Sequence, residues 1–337
     1  MRNHYLGHLR PGDPLDGYLR FDIAPQLGFR GTPGGFRVFQ FDFSRDVYLY
    51  EEVGGAFRVV GKFFPPGRRL APGLVRPPTE TEFQNLTHLH RLGLNSGFFR
   101  IARPLGYNPW LHQVLMVEHL EGQPFEEVID QAIWQNRRNR LFRKLSALAE
   151  ALAVLHNRTA CDWTVDFSSL CEYAGRLIES LVEKRGMARS EADELYGLRE
   201  KWRNRGCMWE DRRVLVHGDA TPPNFRVGPG REVLVFDLER MTWADRVFDL
   251  GRMVGELKHF FMRATGNRWA AEPFIGHFLW EYCGHFPDRQ DAFRSVTRRI
   301  PFYLGITLLR IARNPWVDWG YRRQLLEEAK ENLRADP

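Results

Sequence analysis

The chain has 337 residues, 43% apolar and 27% charged, enough for a real core in one large two-lobed unit or two domains. It has no run of about 18 uncharged apolar residues, and Met1 to Arg20 lacks the apolar block of a secretory signal, so a cytoplasmic protein without a membrane partner is expected. The net charge of +6 divides evenly, +3 in residues 1–124 and +3 in 125–337, with no basic tail and no basic run interleaved with aromatics, so no nucleic-acid partner is expected.

Residues 1–35 are rich in Gly and Pro and read as an N-terminal extension, with a short strand near Tyr18 to Ile23. Three strand-like runs follow, Phe36 to Phe41, Val47 to Glu52 and Ala56 to Phe64. Gly54-Gly55 between the last two signals a hairpin, and the three suggest an antiparallel meander. After a Pro-rich loop, Phe83, Leu86, Leu89 and Leu92 recur by threes in a helix that Gly93 stops. Two further strand-like runs, Phe98 to Ala102 and Gln113 to Glu118, complete a β-rich part of residues 36–120.

Residues 121–337 read as mostly helical. Leu141, Leu145, Leu148, Leu152 and Leu155 mark a long helix, and 170–205 offers two more. Three short β runs interrupt the pattern at Val214 to Val216, Asn224 to Val227 and Val233 to Phe236, before helices resume at Asp245. Cys161, Cys171, Cys207 and Cys283 form no CxxC pair or Cys/His cluster, so free thiols in a reducing compartment are expected. Ten tryptophans offer stacking surfaces, but packing is their commoner use.

The densest chemistry lies in His217-Gly218-Asp219-Ala220-Thr221-Pro222-Pro223-Asn224. A carboxylate and a carboxamide stand five apart on a loop after an apolar strand, and Asp237 ends the next apolar run but one. Phosphoryl transfer uses such a set: one Asp orients the attacking hydroxyl, while an Asn and a second Asp hold metal ions against the nucleotide phosphates. The two prolines stiffen the loop. The bland alternative is an Asx-capped loop between hairpins, but five defined residues at fixed spacing arise by chance in roughly one such chain in ten thousand.

His-Gly-Asp-x-x-x-x-Asn followed by a strand ending in Asp resembles the aminoglycoside phosphotransferase and choline kinase superfamily, relatives of the protein kinases. At motif level the resemblance covers about residues 36–260. It implies an α+β, protein-kinase-like two-lobed fold, with a small antiparallel-sheet N-terminal lobe and a large helical C-terminal lobe. It also implies ATP (or GTP) and Mg²⁺ as cofactors and a small-molecule hydroxyl as acceptor.

By the same resemblance Asp219 is the catalytic base, His217 organises its loop, and Asn224 and Asp237 hold metal. Glu239 is a further metal or acceptor-pocket candidate. Lys62, the only lysine in the first 143 residues, matches the family's phosphate-binding lysine, and Glu82 its helix partner, with Glu80 as the alternative. Glu118, His119 and Leu120 look like the segment whose backbone meets the adenine. Asp249 resembles the acid that braces the catalytic loop. The loop 42–46 has no glycine where protein kinases need several, which leaves Ser44 and its neighbours as phosphate contacts. Gly218 stands where protein kinases carry arginine, which favours metabolite kinases. A non-catalytic scaffold of this fold and an atypical protein kinase remain the alternatives.

Overall fold

The structure, a computed structural model, describes residues 3–41, 46–64, 76–95 and 97–336. The chain divides into two compact units, residues 1–122 with 234–240, and residues 123–233 with 241–337.

The first unit is built on a six-stranded antiparallel sheet. In chain order its elements are β1 (Asn3–His8), α1 (Pro14–Tyr18), β2 (Phe36–Phe41), β3 (Val47–Glu52), β4 (Arg58–Lys62), α2 (Pro78–Arg91), β5 (Phe99–Ile101), β6 (Pro104–Asn108) and β7 (Val114–Glu118). The strand order is β1-β2-β3-β4-β7-β6. β2 to β4 form the expected meander, with Leu49 opposite both Phe39 and Val60.

The N-terminal segment differs from its sequence reading. Asn3–His8 pairs with β2 as an edge strand that bulges between Tyr5 and Gly7. Tyr18 to Ile23 is helical, not a strand. Asp13 caps this turn by accepting from the Leu15 amide, and Pro14 opens it. Leu15, Leu19 and Ile23, four apart, then share one helical face and pack on Phe36, Tyr50, Val59 and Met116 of the sheet.

The second unit holds β8 (Gln123–Pro124), α3 (Phe125–Trp134), α4 (Arg138–Thr159), α5 (Phe167–Arg185), α6 (Arg189–Arg203), β9 (Val214–Val216), β10 (Phe225–Val227), β11 (Val233–Val235), β12 (Thr242–Ala244), α7 (Val247–Thr265), α8 (Glu272–Cys283), α9 (Arg289–Ala312) and α10 (Trp319–Arg334). β11 carries the chain back into the first unit, beside β5. β9 pairs with β12 in a two-stranded ladder, and β10 pairs with β8.

α7 and α9 cross closely. A Cβ built on Gly251 falls 2.2 Å from Tyr303 Cβ, and one on Gly255 falls 2.5 Å from Thr307 Cγ2. Only glycine at these two positions, one turn apart, lets the helices approach this closely.

The architecture is thus α+β and protein-kinase-like, a sheet-based N-terminal lobe and a helical C-terminal lobe. All four cysteines are free. No helix among the described residues is long and apolar enough to cross a membrane.

Candidate active site

In the first unit, β4, α2 and the turn after β11 bring three charged groups together. Lys62 ends β4, and its Nζ donates to Glu82 Oε1 at 2.7 Å, Glu82 Oε2 at 2.8 Å and Asp237 Oδ1 at 3.2 Å. Of the two glutamates considered for this role, the geometry selects Glu82, which is buried; Glu80 lies 3.7 Å from Arg76 near the surface. Burial alone would lower the pKa of Lys62. The carboxylates of Glu82 and Asp237 outweigh that effect and hold its ammonium above the ordinary value.

Asp237 sits at φ 62°, in the left-handed region that a side-chain-bearing residue occupies at a cost of about 1 kcal/mol or more. The strain is braced from α2, where Asn85 Nδ2 donates to Leu238 O at 2.7 Å. Glu239 follows, half-buried; burial first, then the negative charges of Asp237 and Glu82, raise its carboxyl above the usual range.

The proposed adenine segment is partly committed to the sheet. The Glu118 amide donates to Arg103 O at 2.9 Å, and its carboxylate lies 3.8 Å from Arg100. Leu120 is buried. Ser44 lies outside the described residues.

In the second unit the loop after β9 is fixed from α7. Asp249 is fully buried and accepts from the His217 amide at 2.7 Å, the Gly218 amide at 3.0 Å and His156 Nε2 at 3.1 Å. His156 in turn meets the Tyr282 hydroxyl at 2.8 Å. Gly218 has φ 80°, so glycine is the residue that lets both successive amides point at one carboxylate. His217 is buried against Phe225, and its Nδ1 accepts from the Asp219 amide at 3.3 Å. Asn224 Nδ2 donates to Asp219 O at 2.8 Å, closing the loop on itself.

Two residues that sequence spacing did not reveal complete this site. Arg310 of α9 donates through Nη2 to Asp219 Oδ1 at 2.8 Å and through Nη1 to Glu256 Oε1 of α7 at 3.1 Å. The glycine-mediated approach of α7 and α9 makes this bridge possible. The second Asp219 oxygen, Oδ2, has no protein hydrogen bond among the described residues.

Glu256 gives the site a pH signature. Burial pushes its carboxyl up to about 7, against the pull of Arg310 and Arg252, and Asp219 and Glu126 add to the rise. Glutamate's ordinary value is 4.5. Between the two, the folded protein keeps a proton that the unfolded chain has released, so stability falls as pH rises through this window. Glu256→Gln should abolish that contribution. Urea unfolding at several pH values should show the wild type losing up to about 3 kcal/mol relative to the variant across the window. Parallel pH profiles for the two proteins would reject Glu256 as the linked group.

The fold and these two residue sets define a protein of the kinase-like class. Residues 35–285 match the family model described as phosphotransferase enzyme family (APH), and the chain belongs to that family. Among solved structures, the choline kinase LicA from Streptococcus pneumoniae superposes with a TM-score of 0.52 at 16% identity, over 87% of this chain and 91% of that one. An ethanolamine kinase from Plasmodium vivax gives 0.55 at 11% identity, over 88% and 80%. An aminoglycoside-3'-phosphotransferase of type VIII gives 0.51 at 20% identity, over 82% and 97%. No curated protein sequence matches the chain significantly.

Proposed function

We propose that the protein is an ATP-dependent, magnesium-requiring phosphotransferase that moves the γ-phosphoryl group to a hydroxyl of a small molecule, with GTP as an alternative donor. The observation that carries this reading is the Lys62–Glu82–Asp237 cluster, in which a partly buried ammonium is kept charged between two carboxylates and one of these sits on a strained backbone. A compact ammonium suits nucleotide phosphates.

The side chains fit a magnesium nucleotide chemically. Mg²⁺ takes hard oxygen ligands from one or two carboxylates and from substrate phosphates, and Asp237 and Asn224, with Glu239, offer such oxygens. Among the described residues no group of three or more His, Cys, Asp or Glu side chains is arranged as a metal cage; a magnesium that draws on phosphates does not need one. When bound, the ion neutralises phosphate charge.

In the transfer, the acceptor oxygen bonds the γ-phosphorus as the bond to the β,γ-bridging oxygen breaks, ADP leaves with that electron pair, and the hydroxyl proton passes to Asp219 Oδ2. Arg310 holds the other carboxylate oxygen, so the base keeps one orientation. The solved relatives named above share the fold at 20% identity or less, and their acceptors do not carry over.

Calorimetry with ATP, with and without Mg²⁺, tests the reading. Wild type should bind ATP more tightly with magnesium. Asp237→Asn should lose about tenfold or more of that magnesium-dependent gain, because an amide removes one of the charges that holds the ion. A wild type that binds no nucleotide at any magnesium concentration would leave the non-catalytic scaffold as the surviving reading.

A further inference from the structure

A row of four charged groups of alternating sign runs through the second unit and ends at Asp219. Arg310 Nη2 donates to Asp219 Oδ1 at 2.8 Å, and Nη1 donates to Glu256 Oε1 at 3.1 Å. On its other side Glu256 feels Arg252, one turn earlier on α7, whose guanidinium favours the ionised carboxylate. The order is Arg252, Glu256, Arg310, Asp219. Arg252 and Glu256 are buried, and the side chains of Arg310 and Asp219 are 22% and 16% exposed. Charges so withdrawn from solvent are weakly screened, and each responds to the state of the next.

Glu256 is the member whose charge changes near neutral pH. Burial pushes its carboxyl up to about 7; Arg310 and Arg252 oppose the rise, while Asp219 and, from α3, Glu126 add to it. From α10 the Tyr321 hydroxyl also faces it, its proton held chiefly by burial and in part by the Glu256 charge. The effect on Asp219 follows by reciprocity. The charge of Asp219 favours the protonated form of Glu256, so the charge of Glu256 favours proton uptake by Asp219 to the same extent. With Glu256 ionised, the row reads plus, minus, plus, minus, and Arg310 is divided between two carboxylates. With Glu256 protonated, Asp219 alone opposes the two guanidinium groups of the row, and a proton moving onto it works against both.

We propose that Glu256, acting through Arg310, is a positioning residue of the transfer reaction: its negative charge leaves Asp219 free to take the acceptor's proton, so transfer is faster with Glu256 ionised than with it protonated. This rests on the phosphotransferase reading and adds pH control to the same site. The chemical step is unchanged. The hydroxyl proton passes to Asp219 Oδ2 while Arg310 stays on Oδ1, and Glu256 neither gives nor takes a proton in it.

The test uses the full chain as wild type, Glu256→Gln and Glu256→Asp. Hydrolysis of Mg·ATP, with water as the acceptor hydroxyl, is followed in single turnovers across the range from about pH 6 to about pH 8. The ratio of the wild-type rate to that of Glu256→Gln should rise about threefold or more across this range, because a base works better as its readiness to take a proton grows. Titration of the nucleotide is common to the proteins and cancels in the ratio. Glu256→Gln keeps an oxygen for Arg310 without the charge and should hold the slow level, while Glu256→Asp should restore a step with its own midpoint. A second readout needs neither nucleotide nor acceptor. The ¹³C carboxyl resonance of Asp219, assigned from Asp219→Asn, should move through this range in wild type and stay flat in Glu256→Gln. The proposal is overturned if the rate ratio is the same at every pH, as a merely structural Glu256 would give, or if the Asp219 resonance is flat in wild type or keeps its step in Glu256→Gln. Failure of Mg·ATP to bind wild type would instead remove the phosphotransferase reading beneath it, and the Asp219 resonance would still decide whether the two carboxylates are coupled.

Discussion

Asp219→Asn is expected to bind Mg·ATP as wild type does and to transfer the phosphoryl group at least about a hundredfold more slowly, the usual worth of a positioned general base. The substitution is close to isosteric, and Asn can still present its carbonyl oxygen to Arg310. The amide then occupies the place of Oδ2 and cannot take up the acceptor's proton. The loop itself should survive, because its shape depends on the Asp219 backbone, whose carbonyl accepts from Asn224 and whose amide donates to His217, and on Asp249. Single-turnover transfer and ATP calorimetry on the same preparation separate chemistry from binding. A rate within tenfold of wild type would remove Asp219 from the role of base. Equal loss of nucleotide affinity in Asp219→Asn and Asp237→Asn would mean that the two aspartates do not divide base and metal roles as assigned.

The parts of this molecule that were legible in the sequence are those written in local spacing. The β2–β4 meander shows as alternating Val, Phe and Tyr around a Gly-Gly turn. α2 and α4 show as apolar residues three and four apart. The loop 217–224 shows as polar types fixed between apolar strands. What was missed falls into two physical classes. β1 and β6 lie at the two edges of the sheet, where one side of the ladder is open and the apolar signal is weak: Tyr5 and Leu6 are exposed. Pro104 and Gly106 read as turn residues, yet an edge strand tolerates a proline at its first position. The second class is long-range charge pairing. Arg310 meets Asp219 across 91 residues of sequence, and in a chain whose basic residues are nearly all arginine nothing local distinguishes it. Gly251 and Gly255, four apart on a helix that already carries the bracing Asp249, were the one available hint that another helix crosses there.

Asp249→Ala is expected to cost about 3–5 kcal/mol of stability, because it removes the acceptor of three hydrogen bonds in the interior. This carboxylate sits at the junction of α4, α7 and the loop 217–224, and both of its oxygens are used: Oδ1 by the Gly218 amide, Oδ2 by the His217 amide and His156 Nε2. Alanine leaves the His217 and Gly218 amides and the Nε2 of His156 without their acceptor, while His156 Nδ1 keeps the Tyr282 hydroxyl; each such loss in the interior costs about 1–3 kcal/mol. Thermal unfolding should show a drop of roughly 4–7 °C. Asp249→Asn keeps the shape and one acceptor oxygen, so its loss should be smaller and should fall between wild type and alanine. The same variants report on function in the temperature range where they remain folded. Lys62, Glu82 and Asp237 belong to the other unit, so nucleotide affinity should be nearly unchanged in Asp249→Asn. Transfer should be slower, because Asp219 is carried by the two amides that Asp249 holds. An alanine variant that melts within a degree or two of wild type would show that the loop's geometry is set by its prolines and Asn224, without need of the buried acid.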